Sequence, residues 1–310
     1  METAAIQLND PQPAEPVRKR APRKTAPQKT GPKIGTPNVE TWSGKDKKSE
    51  NFPVGSWLIA RRLRPHIHAF YAFARNADDI ADNAHLPALE REARLRTMED
   101  VLLGRRAAGS PTATALRTSL AATHVSPDHA SDLLHAFRQD TSKNRYSSWP
   151  ELIDYCRYSA MPVGRYVLDL HGESRATWPH ADALCASLQI LNHLQDCAAD
   201  FVNLGRSYLP ADWMQTAGAI PADVLRPSET PALRQVFSAL LEKCNELNRA
   251  AAPLPSLVRS RRLRLECAVI IAIALRLTQR LTRQDPIAAR VSLTKTDAAL
   301  SMISALRVLP

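Results

Sequence analysis

The sequence predicts an all-α protein, and three observations carry that prediction. Its 310 residues are 44% hydrophobic but only 5% aromatic and include just ten Gly, while Ala, Leu and Arg abound, which is a helix former's composition. From about Glu50 onward, apolar residues recur at three- and four-residue steps. Runs of alternating β-branched residues are nearly missing, so strands have little to build on. About 260 residues follow the first fifty, enough for one large helical domain, 51–310, with a substantial core.

The first fifty residues read differently. Pro recurs at 11, 13, 16, 22, 27, 32 and 37, and basic residues cluster at 18–24 and 45–48. Such a segment buries too little apolar surface to fold and is expected to be a disordered basic tail. It fits either a solvated tail or electrostatic attachment to an anionic membrane surface. Nucleic acid is not the expected partner, because the tail has one Trp and no interleaved aromatics to stack bases. Part of the net charge of +10 lies here, so that charge says little about the partner of the folded domain.

The segment 52–82 reads as two helices. The first contains Trp57, Leu58, Ile59 and Leu63, Pro65 breaks it, and the second runs through Phe70, Tyr71, Phe73, Arg75 and Asp78. On the second, Tyr71, Arg75, Asp78 and Asp82 step by four, three and four and share one face. Asp79 lies off that stripe, as a support for it. Residues 155–164 place Pro162 and Gly164 in an apolar helical run, which fits either a kink that widens a cavity or a break between two helices. A further helix carries Gln189, Asn192, Asp196 and Asp200 on one face, at steps of three, four and four. Residues 205–210 end it and supply Arg206 and Tyr208. Arg206 suits either a phosphate or an ordinary salt bridge. His66, His68 and His193 have no partners at ligand spacing and read as ordinary histidines.

The two aspartate pairs are the functional signal. Like charges one helical turn apart cost roughly 0.2–0.5 kcal/mol unless neutralised. Both pairs also lie among apolar residues, Phe70, Phe73 and Ile80 in one case, Leu188, Ile190, Leu191 and Leu194 in the other. One such pair alone would read as a solvated face; two, more than a hundred residues apart, point to metal ions. Mg²⁺ suits carboxylates that share it with a substrate phosphate. The sequence has neither a Walker-type phosphate loop nor a GlyXGlyXXGly dinucleotide loop, so the metal ions would themselves bind the phosphate.

A secretory signal is not expected, since Pro and charge interrupt the N-terminus, and the longest apolar run, 267–275, falls short of the ~20 residues that span a bilayer. The five Cys show no metal-ligand spacing and sit in apolar helix, which fits reduced thiols in the cytoplasm, with peripheral membrane contact as an added expectation.

Residues 71–82, 154–164 and 188–200 with the GlyArgSerTyrLeuPro that follows at 205–210, in this order and at these separations, resemble the squalene and phytoene synthase family of head-to-head prenyl transferases. The likeness covers nearly everything from Asn51 to about Arg290. It implies the isoprenoid-synthase helical bundle around a central apolar cavity. It also implies that Asp78, Asp82, Asp196 and Asp200 bind Mg²⁺ ions bridging to a prenyl diphosphate. By the same likeness Arg75, Gln189 and Asn192 contact the diphosphate or support the metal, Tyr71 and Tyr155 wall the reacting carbons, and Asn51 and Phe52 meet the substrate.

Departures from the family pattern narrow the choice. Residues 49–54 read SerGluAsnPheProVal where many members have a SerLysSerPhe-type start, Gln195 precedes Asp196 in place of Arg, and Ala199 precedes Asp200 in place of Glu. AlaMetPro stands where the family has AlaGly. With AsnHisLeuGlnAspCys in the second motif, the chain is most similar to the bacterial hydroxysqualene synthases of the hopanoid pathway. That likeness implies Mg²⁺-dependent conversion of presqualene diphosphate and water to hydroxysqualene and diphosphate, without a reductant. Two alternatives are condensation of two prenyl diphosphates, and a non-catalytic binding role whose mark would be eroded aspartates; all four are present. Oligomeric state is not legible.

Overall fold

The computed structural model describes residues 38–41 and 58–306, and within them it is helical, with no strand. A lone parallel bridge joins Arg145 to Ser207. The helices are α1 (Arg64–Ala81), α2 (Ala88–Leu102), α3 (Pro111–Thr123), α4 (Asp128–Asp140), α5 (Trp149–Ser159), α6 (Met161–Leu170), α7 (Trp178–Leu204), α8 (Ala211–Ala217), α9 (Pro231–Ala251), α10 (Leu254–Leu257), α11 (Arg261–Arg283) and α12 (Lys295–Leu306). Asn51, Phe52 and nearly all of the basic tail lie outside the described residues.

Proline starts helices here. It occupies the first turn of α1, α3, α5, α6, α7, α9 and α10, where its missing N–H has no intrahelical partner to lose. This corrects one expectation and decides between the two readings of another. Residues 58–63, expected to be helical, form turns, and Pro65 opens α1. Around Pro162 the chain does not kink one helix; α5 ends and α6 begins at Ala160, whose φ/ψ of −128°/−49° leaves the helical region. Side chains also cap starts, Ser110 at α3 and Thr230 at α9 beside the proline, and Ser260 at α11 without one.

The core has two main parts. One gathers α1, α2, α3 and α4 around Phe73, Ile80, Leu95, Met98 and Leu134, and the other gathers α5, α7, α9 and α11 around Leu152, Leu191, Phe237, Leu241 and Leu277. Thus α1 and α7, the two aspartate helices, belong to different cores, and α6 packs on both sides through Tyr166 and Leu168. Tyr166 stacks on Phe70 of α1 at 3.9 Å and donates to the His66 carbonyl at 3.0 Å.

Gly164 lets α6 approach α7. A Cβ at that position would lie 2.7 Å from Cys185 Sγ and 3.4 Å from Ala181 Cβ. Gly164→Ala is therefore expected to overpack the interface and cost about 1–3 kcal/mol, read as a lowered urea midpoint at unchanged slope. Residues 38–41 hold the outer side of α1 and α3. Glu40 Oε1 accepts from Ser110 Oγ, Thr112 N and Thr112 Oγ1 at 2.8, 2.6 and 2.7 Å, and Asn76 of α1 donates to the Thr41 carbonyl.

Candidate active site

The stripe on α1 ends at Asp82, its C-cap, where the negative end of the helix dipole disfavours carboxylates and makes a nearby cation valuable. Arg75 folds back over the last turn, Nη1 lying 3.1 Å from Asp78 Oδ2 and Nη2 2.9 Å from Asp79 Oδ1. Asp79 is buried, so it fixes Arg75 from below while Asp78 stays partly open. The supporting role expected for Asp79 is what the geometry gives it.

On α7, Gln189, Asn192, Asp196 and Asp200 are all partly exposed, consistent with one stripe. Asp196 meets a cation that the sequence reading did not single out. Arg290, from the loop after α11, donates Nε to Oδ1 at 2.7 Å and Nη2 to Oδ2 at 3.1 Å, a fork-on-carboxylate pair. The next residue is pinned too, since buried Gln195 donates to the Val291 carbonyl.

Arg206 brings the two motifs together. Its backbone N–H donates to the Asp200 carbonyl at 3.2 Å, its Nη1 to Asp82 Oδ1 at 2.7 Å, and its Nη2 to the Asp140 carbonyl at 2.8 Å. Gly205, at φ +66°, makes the turn that swings Arg206 back across the end of α7. Arg206 is buried, which sets aside the surface salt bridge allowed by the sequence. Arg91 adds a further cation nearby by donating to the Ala81 carbonyl at 2.6 Å.

Beneath this junction lies a polar aromatic cluster. Tyr155 donates its hydroxyl to Asp140 Oδ2 at 2.8 Å. The Tyr155, Tyr146 and Tyr208 rings are mutual neighbours at 5.1–5.6 Å, and His193 stacks on Tyr208 at 3.5 Å. Burial pushes the Asp140 carboxyl up to about 7, with Arg206 and the Tyr155 hydroxyl opposing it. Burial, then the Arg206 charge, lowers His193 to about 3, so its imidazole is neutral. Tyr155 and Tyr208 are raised by burial and keep their protons.

Of the residues expected at the site, Arg206 and Tyr208 join Asp82 and Tyr155 in one network, while Asp78 pairs with Arg75 and Asp196 with Arg290. Tyr71 lies partly exposed on α1. Asp140 and Arg290 escaped the sequence reading, and His193 read there as an ordinary histidine. Azimuth could have found His193, seven residues before Asp200 and so only about 20° from it around the helix. An open concavity of about 540 Å³ lined by His124, Asp169, Glu173 and Arg175 is unrelated to the aspartates. It sits by the start of α7, roughly 27 Å along the helix from Asp196 at 1.5 Å per residue.

The all-α domain, with its two paired-aspartate helices, belongs to the squalene/phytoene synthase family, whose profile matches residues 45–297. It is 46% identical to a hydroxysqualene synthase of Sinorhizobium fredii over 84% of this chain and 88% of that one, and 44% identical to one of Zymomonas mobilis over 82% and 86%. A 15-cis-phytoene synthase of Pantoea ananas is 29% identical over 63% of this chain and 66% of its own. Among solved structures, squalene synthase HpnC of Alicyclobacillus acidocaldarius superposes with a TM-score of 0.67 and 31% identity, covering 77% of this chain and 90% of that one.

Proposed function

We propose that the protein converts presqualene diphosphate and water to hydroxysqualene and diphosphate, with Mg²⁺ and without a reductant. The observation that carries this reading is the junction of the two aspartate motifs at Arg206, whose Nη1 donates to Asp82 Oδ1 while its backbone N–H donates to the Asp200 carbonyl. Similarity to hydroxysqualene synthases over more than four-fifths of both chains supports water capture over condensation.

The donor set fits Mg²⁺. Asp78 and Asp196 each keep a carboxylate about a third exposed, and a hard cation takes one or two carboxylates and completes its shell with substrate phosphate and water. Asp78 and Asp82 would hold metal on one side, Asp196 and Asp200 on the other. When bound, Mg²⁺ supplies Lewis-acid neutralisation of the leaving diphosphate.

The chain's own groups do the rest. Arg75, Arg206 and Arg290 keep the carboxylates compact and present positive charge to the diphosphate. Gln189 and Asn192 orient it with amide hydrogen bonds. Tyr71 and Tyr155 face the carbocation, which an aromatic ring stabilises by about 0.5–2 kcal/mol. Prenyl tails are held by apolar burial at about 0.8 kcal/mol per CH₂.

The test is incubation of purified protein and Mg²⁺ with presqualene diphosphate, without NADPH, beside a parallel farnesyl diphosphate reaction. Hydroxysqualene from the first and nothing from the second supports the reading. A C30 diphosphate made from farnesyl diphosphate replaces it with a condensing synthase. We further propose that the basic tail rests on anionic lipid. Co-sedimentation with phosphatidylserine vesicles should then be lost on deleting residues 1–37 and should weaken with salt; salt-independent binding, or binding that survives the deletion, rejects it. Among the described residues, no helix is long and apolar enough to cross a membrane.

A further inference from the structure

Two buried polar atoms in the cluster below Arg206 have no hydrogen-bond partner. Asp140 gives one carboxylate oxygen to Tyr155, but Oδ1 is unpaired although the residue is only 5% exposed. His193 Nε2 is likewise out of solvent and unpaired. Leaving such a group unsatisfied forfeits its hydration with nothing in return. The two belong to one neighbourhood, because Tyr155 contacts both: its hydroxyl holds Asp140, and its ring centroid lies 6.2 Å from that of His193. Tyr208, stacked on His193, adds a second hydroxyl. Buried water is typically found where two to four polar groups await partners.

The position matters as much as the vacancy of the acceptors. Through Arg206 the Asp140 backbone is tied to Asp82, and His193 shares the helical azimuth of Asp200. The cluster therefore lies directly beneath the place where both aspartate motifs meet. Capture of a carbocation by water requires a single oxygen held with a lone pair free and an acceptor for the proton it sheds; bulk water would react without selection.

We propose that Asp140 Oδ1 and His193 Nε2, flanked by the hydroxyls of Tyr155 and Tyr208, hold the water that captures the carbocation. This rests on the function proposed above. The bond from carbon to the diphosphate oxygen breaks with its electron pair on the diphosphate. The cation rearranges with a bond of the cyclopropane ring breaking, and the water oxygen donates a lone pair to the cationic carbon of the rearranged chain, forming the C–O bond of the alcohol. The proton lost from the resulting oxonium passes to one of the two acceptors and leaves to solvent, so substrate plus water balances alcohol plus diphosphate and a proton.

The experiment uses the full chain with Mg²⁺ and presqualene diphosphate, following released diphosphate and the ratio of C30 alcohol to C30 hydrocarbon by mass spectrometry. In Asp140→Asn and His193→Leu the alcohol fraction is expected to fall about tenfold, the effect of losing one hydrogen bond to the water, with hydrocarbon from proton loss in its place. Diphosphate release should fall far less. The inference is overturned if the alcohol fraction is unchanged in both variants, or if alcohol and diphosphate release fall in parallel, as a structural role would give. His193→Leu introduces no buried polar group and keeps the test available should Asp140→Asn fold poorly. A wild-type protein that makes no alcohol overturns the proposed function and this inference together, whereas failure in the variants alone leaves the function standing.

Discussion

Asp78→Ala and Asp196→Ala proteins fold and lose turnover by at least about a thousandfold, equivalent to about 4 kcal/mol of transition-state stabilisation. The two halves of this expectation come from different observations. Asp78 and Asp196 are each about a third exposed and each faces an arginine, so losing either removes one solvated ion pair, about 0.2–1 kcal/mol of stability. Under the proposed function, activity depends instead on carboxylate oxygens, which Ala cannot supply. Arg290→Ala should be milder, roughly tenfold to a hundredfold, because it removes a charge-assisted contact and leaves the metal ligands in place. Melting curves beside steady-state rates check both. Full turnover in either Asp variant, or a collapse of the fold, removes the metal-site assignment.

Arg206→Leu has the opposite profile, with stability lost as well as activity. The guanidinium is buried and answers two acceptors on separate elements, Asp82 Oδ1 and the Asp140 carbonyl, while its backbone closes α7. Removing it strands a carboxylate and a carbonyl beside the already poorly solvated Asp140. Breaking such a buried pair costs about 3–5 kcal/mol. For a domain this size, 3 kcal/mol is roughly a 6–12 °C drop in Tm. Arg206→Lys should recover only part of it, since one ammonium does not reproduce a planar fork reaching in two directions. A Tm within a degree or two of wild type in Arg206→Leu contradicts the bridging role.

Much of this was legible in the sequence because helical periodicity is local. The spacing of Tyr71, Arg75, Asp78 and Asp82, and of Gln189, Asn192, Asp196 and Asp200, states which side chains share a face without any knowledge of packing. The composition gave the all-α class, and the order of motifs gave the family. What stayed hidden is what depends on distant chain segments meeting. Arg290 is 94 residues from Asp196, in a loop with no motif of its own. Asp140 sits in the polar last turn of α4, where nothing distinguishes it from a solvated aspartate until Tyr155 and Arg206 close over it. Proline was misread as a breaker at 65 because a first-turn proline and a helix-ending one look alike in sequence; only the direction in which the helix continues separates them.

The most direct test of the central claim is the origin of the product oxygen. The purified protein, given presqualene diphosphate and Mg²⁺ without reductant in ¹⁸O-labelled water, should release a C30 alcohol that carries the heavy oxygen, along with unlabelled diphosphate. An unlabelled alcohol, a hydrocarbon as the sole product, or an untouched substrate would contradict the account.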